Sequence, residues 1–132
     1  MKTNSKIAAR FLATAIWADG EFSDVERDFL HNLSQNLKIE TLETDVSEAA
    51  AEFAPLKGGE VADKLAVYAK QVDTEEKDGI LALCLQIMGC DSYLAAEEIT
   101  NFFVIAKILG VEEERGQLML AQLTNDIEDV VA

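Results

Sequence analysis

The chain is short of the residues that usually build sites and breaks: one proline, one histidine, one tryptophan and two cysteines in 132 residues. Cys84 and Cys90 alone make no secreted disulfide framework. Six residues apart on one helix, they would point to different sides and could not bridge. A reduced, cytoplasmic protein is the expectation. His31 as sole imidazole excludes a His-pair metal site and makes a hidden catalytic triad improbable. Beside Leu30 on a helix, it reads as a solvated surface histidine. No run reaches the ~20 apolar residues of a membrane span, so no membrane insertion is expected. Arg10 interrupts the apolar stretch Ile7 to Ile16, and no signal-peptide cleavage site follows it. Bases are scarce too, 11 against 25 acids, for a net charge of −14. Such a chain repels phosphates and anionic headgroups, which argues against nucleic acid as a partner. It favours cations or basic protein surfaces.

What is present is a large apolar fraction, 49%. That is enough to bury a core in a single domain spanning 1–132 and excludes a disordered acidic tail. Strand-like alternation is missing and helical spacing recurs, so the expected fold is all-α, a compact bundle of about seven helices. Helix one runs from about Ser5 to Ala18, burying Ile7, Phe11, Leu12 and Ile16, with Gly20 as a left-handed cap. Ser23-Asp24-Val25-Glu26 is a capping box that opens helix two, which ends near Leu37. A third helix spans roughly Asp45 to Ala54, stopped by Pro55. Gly58-Gly59 marks a turn into a fourth, about 59–72, with Val61, Leu65, Tyr68 and Val72 on one face. Helix five, around Ile80 to Met88, is apolar on nearly all sides and is expected to be the most buried. Helix six carries Ile99, Phe102, Ile105 and Leu109 and is capped by Gly110. Helix seven, about Glu112 to Thr124, is expected to turn Leu118, Met119 and Leu123 inward. The last residues are apolar enough to dock.

Shifting the chain by 72 residues aligns its halves, about 1–54 with about 73–126, the fourth helix connecting them. Asp19 falls on Asp91, Glu26 on Glu98, Leu30 on Phe102, Leu33 on Ile105 and Leu37 on Leu109. Apolar matches follow from any repeated helical hairpin; matched carboxylates do not. In each half an Asp ends one helix and a Glu opens the next, seven residues later. An Asp at a helix C-terminus faces the negative end of the dipole, at a cost of a few tenths to ~1 kcal/mol unless compensated. Asp19 could take amides from the next helix, and Glu26 has its place in the capping box. Glu98 lacks that role on this reading, because Ala95 replaces Ser23. The alternative is a cation site at each elbow, Asp19 with Glu26 and Asp91 with Glu98. Oxygen donors alone select Ca²⁺ or Mg²⁺ over zinc. Neither loop has the ligand spacing of an EF-hand.

Ala18-Asp19-Gly20-Glu21-Phe22-Ser23-Asp24-Val25-Glu26, with Leu37-Lys38-Ile39 and Leu109-Gly110-Val111 closing the following helices, resembles the signature of the TerB-like family, named for a tellurite-resistance protein. The resemblance implies an all-helical fold of about seven helices and a non-enzymatic, cytoplasmic, acidic module. It further implies divalent-metal binding and a protein partner within membrane-associated stress and tellurite-resistance complexes. The family's acidic positions fall on Asp19, Glu26, Asp91 and Glu98. The second elbow departs from the pattern, with Cys90-Asp91-Ser92 where Ala-Asp-Gly is expected. Trp17 meets Gly89 at the equivalent position, and is expected to fill the core beside it rather than face a partner.

Other acidic runs, Glu75-Glu76, Glu112 to Glu114 and Asp126 to Asp129, read as helix starts and solvated faces. Phe102-Phe103 and Leu118-Met119-Leu120 are broader than one core stripe needs. They could serve a homodimer or partner interface, or extend the core. No catalytic or cofactor-binding residue stands out. Three readings remain: a binding module, a purely structural or scaffolding protein whose elbow acids only cap helices, and a metal-assisted hydrolase, which would need clustered carboxylates.

Overall fold

The computed structural model describes residues 3–17, 22–90, 93–124 and 129–130. Seven α-helices occur among them: α1 (Ser5–Ile16), α2 (Asp24–Leu37), α3 (Leu42–Phe53), α4 (Gly58–Ala69), α5 (Lys77–Met88), α6 (Ala96–Leu109) and α7 (Glu113–Thr124). A 3₁₀ turn at Thr74–Glu76 precedes α5. The all-α bundle expected from helical spacing is therefore present.

The centre of the bundle is α1, not α5. Eight of its twelve residues are buried, four of them alanines, so neighbouring helices approach closely. It packs most extensively on α3 and α5 and also touches α4 and α6. Phe11 is fully enclosed, a burial of the kind that contributes about 1.5–3 kcal/mol. The side chain of Asn4 caps the helix by accepting the Lys6 amide at 2.8 Å. Arg10, an unusual residue for so enclosed a helix, is held by α3 and α4. Its Nη2 lies 2.9 Å from Glu52 Oε1 and its guanidinium 4.7 Å from the centre of the Tyr68 ring. The Tyr68 hydroxyl donates to Glu52 Oε2 at 2.8 Å. Asp45, also buried, accepts from Ser5 Oγ and Thr41 Oγ1 and ties the starts of α1 and α3 together.

Several boundaries differ from those expected. The third helix starts at Leu42, three residues early, because Leu42 is itself a core residue with no exposure. Gly58-Gly59 is the first turn of α4 rather than a loop. The Glu60 carboxylate accepts the Lys57 amide at 3.3 Å and satisfies the helix start. That helix ends at Ala69, leaving Val72 buried beyond it. On α7, Leu118 points outward, 51% exposed, while Gly116, Met119, Leu120 and Leu123 form the inward stripe. Glycine adds no side chain to a hydrophobic pattern, so the start of that stripe was hidden. A Cβ at Gly116 would meet the Phe103 ring at 3.3 Å, which shows how closely α7 lies on α6.

Two of the three expected helix pairs start at the 72-residue spacing, whereas α3 and α7 start 71 positions apart. Both α1 and α5 have twelve residues, both α2 and α6 have fourteen, and each pair starts 72 positions apart. Lys38 (φ 57°) and Gly110 (φ 82°) end α2 and α6 in the same left-handed conformation. Ile39 N donates to Ser34 O and Val111 N to Ala106 O, each at 2.9 Å.

Candidate functional site

Each elbow is built from a helix end, a short connection and a helix start. At the first, α1 stops at Ile16 and Ser23 caps α2. Ser23 Oγ accepts the Glu26 amide at 3.2 Å while Glu26 Oε1 accepts the Ser23 amide at 2.9 Å. The expected capping box is thus formed, and Glu26 is 5% exposed. Asp19 lies outside the described residues, as does Gly20.

At the second elbow, α5 ends at Met88 and Ala95 stands at the cap of α6. Glu98 does have a capping role, contrary to expectation. Its Oε1 accepts the Ala95 backbone amide at 3.1 Å. The two bonds of a capping box are independent, and the glutamate's half needs only a backbone N–H, which alanine supplies as well as serine. Glu98 is 4% exposed. Asp91 lies outside the described residues. Ahead of α6, Tyr93–Leu94 pairs in parallel with Asp129–Val130. Two residues are too few to show an alternating pattern, so no sequence signal announced this ladder.

A glutamate at the third helical position therefore opens α2, α4 and α6 alike. Burial separates them: Glu60 is exposed, whereas Glu26 and Glu98 are enclosed. An enclosed carboxylate needs compensation beyond what a solvated cap requires. Among the described residues no three His, Cys, Asp or Glu side chains are grouped closely enough to hold a metal ion. A carboxylate cluster of that size at either elbow would have to include an acid outside the described residues, such as Asp19, Glu21 or Asp91.

Trp17 is not in the core beside Gly89. A Cβ at Gly89 would stand 3.0 Å from Leu123 Cδ2, so α7 already fills that space. Trp17 is instead 37% exposed and packs at a tilt against Phe22, ring centres 5.0 Å apart and planes 46° apart. The Arg27 guanidinium covers the Phe22 ring at 4.4 Å. Trp17 also forms one end of an apolar hollow of about 500 Å³ between α1, α3 and α4, with Ala50, Ala54 and Phe53 on the α3 side and Val61 on α4. Thr14, Trp17 and Val61 are shared with a second hollow that reaches Thr100 and Val104 on α6. Thr100 and Val104 in turn border a third, between α6 and the start of α7. The three hollows therefore adjoin in series as a segmented trough, each sharing lining residues with the next. In the sequence Trp17 reads as core in preference to a partner contact, Val61 shares one face with Leu65, Tyr68 and Val72, and the alanines of α3 carry no signal of a surface.

Cys84 lies in the core and His31 at the surface. Burial pushes the Cys84 thiol up to about 12, as befits a small core side chain. His31 is exposed, its Nδ1 2.7 Å from Glu43. No helix among the described residues is long and apolar enough to cross a membrane. No protein-family model matches the chain, and no curated protein or solved structure matches it either.

Proposed function

We propose that this chain is a non-enzymatic, acidic helical module of TerB-like type that works by binding a protein partner. The observation that carries the partner is the pair of adjoining, mostly apolar hollows that meet at the exposed Trp17. Contiguous apolar surface on a chain of net charge −14 is a feature that solubility alone would remove. The family likeness rests on the elbow residues of the sequence, and with it the assignment to a stress or tellurite-resistance system. Affinity capture from cytosolic and membrane extracts with the immobilised chain tests the partner. A specifically retained protein is expected, and a blank in both extracts retires this reading.

The same proposal places a divalent cation, Ca²⁺ or Mg²⁺, at the elbows. Glu26 and Glu98 would each contribute carboxylate oxygen, the donor that hard cations take, together with Asp19 and Asp91. The burial of both glutamates at matching positions supports it. When bound, the ion would neutralise clustered negative charge and lock the elbow. The competing reading is a purely structural protein in which these acids only cap helices, and the amide bonds to Glu26 Oε1 and Glu98 Oε1 favour it. Thermal melts in Ca²⁺, Mg²⁺ and Mn²⁺ separate the two. At 100 times its dissociation constant an ion bound only to the native state adds ~2.7 kcal/mol, about 10 °C for a chain of this size. Asp19→Asn should reduce the shift. No shift with any ion leaves the acids as caps.

A further inference from the structure

We propose that the trough receives a basic amphipathic helix of the partner, apolar face inward and Lys- or Arg-bearing face toward solvent. This rests on the protein-binding reading and adds the class of partner. Its shape comes first. The α3 wall is Ala50, Ala51 and Ala54, small side chains that let a helix approach to the 8–10 Å typical of helix packing. Trp17 supplies a rigid aromatic anchor, the residue type most enriched where binding energy concentrates. The hollows line up along the surface, because Val61 borders the first two and Val104 the second and third. An extended element fits such a surface better than a small round ligand.

Charge then chooses the occupant. The hollows on either side of Trp17 hold one charged lining residue, Glu97. The third adds Glu112 and Glu113 against a single base, Lys107. Three acids to one base at the rim, on a chain with 25 acids to 11 bases, attract a cationic helix and steer its approach. A second copy of this chain would bring another −14 to the same surface. An anionic bilayer would be repelled in the same way. The basic helix is the occupant that gains from both the apolar floor and the acidic rim.

Trp17 is the chain's only tryptophan, so its fluorescence reports directly on the trough. The probe is a Trp-free Leu/Lys peptide of about 18 residues, five helical turns, with leucines spaced i, i+3, i+4, i+7. A saturable blue shift at one peptide per chain is expected, weakening as salt is added. A scrambled Leu/Lys peptide and a Leu/Glu helix should each bind at least roughly tenfold more weakly. Val61→Lys should cost a similar factor, whereas Val67→Lys, on the same helix but outside the trough and 58% exposed, should leave affinity within about twofold. If circular dichroism shows Val61→Lys unfolded, Val104→Lys on the 44% exposed α6 position serves instead.

Equal binding of the scrambled peptide reduces the effect to bulk charge and overturns the proposal. So does unchanged binding by the trough variants. Sedimentation showing a wild-type dimer that the trough variant abolishes would assign the surface to a second copy. Binding to phosphatidylcholine/phosphatidylglycerol vesicles that the variant abolishes would assign it to a membrane. A partner captured from extract equally by wild type and trough variants refutes the trough and leaves the protein-binding reading standing. No captured partner at all removes that reading itself.

Discussion

The starts of α2 and α6 form a natural experiment in helix capping. Ser23 and Ala95 hold nearly the same backbone, φ −72° and ψ 163° against φ −73° and ψ 156°. Both donate their own amide to the glutamate three residues on, at 2.9 and 3.1 Å. Only Ser23 has an oxygen to accept the returning amide. Ser23→Ala should therefore remove that bond, together with the one Ser23 Oγ donates to Glu26 Oε1 at 3.1 Å, and cost about 1 kcal/mol, within the usual 0.5–2. Ala95→Ser should complete the missing half and stabilise by about 0.5–1 kcal/mol, since the new hydroxyl finds the matching geometry already in place. At about 2.1 cal/mol/K per residue, unfolding this chain carries roughly 0.28 kcal/mol/K of entropy. Ser23→Ala should then lower Tm by about 3–4 °C and Ala95→Ser raise it by about 2–4 °C. Differential scanning calorimetry at neutral pH reads both, with far-UV circular dichroism confirming unchanged helix content. A fall in Ser23→Ala with no rise in Ala95→Ser would refute the idea that backbone angle and the glutamate's half-bond suffice to define the site.

The glycines offer a contrast. At Gly79, in the first turn of α5, a Cβ meets nothing within 4 Å, so Gly79→Ala should stabilise by about 0.5–1 kcal/mol through helix propensity. Gly116→Ala gains the same propensity but presses on the Phe103 ring, and calorimetry should show no net gain or a loss. Equal stabilisation by both would mean that α7 sits more loosely on α6 than described. Glu52 supplies the pH prediction. Burial alone would raise its carboxyl, but the bonds from Arg10 and Tyr68 and the charges of Arg10 and Lys64 outweigh it and hold the carboxyl below its ordinary value. That stabilisation is present above the unfolded-state pKa of about 4.3 and is lost as pH falls through the lower folded value. Glu52→Gln should cost about 1–2 kcal/mol at neutral pH. Urea titrations should show the gap from wild type closing as the solution is acidified, and parallel acid limbs would refute the assignment.

Local features were legible in the sequence because local chemistry decides them. Helical spacing, the Ser23–Glu26 box and the left-handed Gly110 each depend on residues within one or two turns. The 72-residue shift compares two such local patterns and places Glu26 and Glu98 at the same point of two helices. Ala95 conceals the capping role of Glu98 in the sequence, because the serine half of the box is absent while the glutamate half needs only a backbone amide. Questions of what covers what were beyond reach. The pattern of α5 states how apolar it is, yet the alanine-rich α1 occupies the centre because small side chains let four neighbours close around it. Trp17 alone does not say that Leu123, more than a hundred residues away, already fills the space beside Gly89 and leaves the indole at the surface. The trough has no sequence signature either, since its walls come from α1, α3, α4 and α6 and exist only once those helices are packed. Composition and spacing determined an acidic helical bundle with two glutamate-opened elbows. Tertiary packing alone decided which apolar residues were left over for a partner, because burial is a property of neighbours and not of a residue.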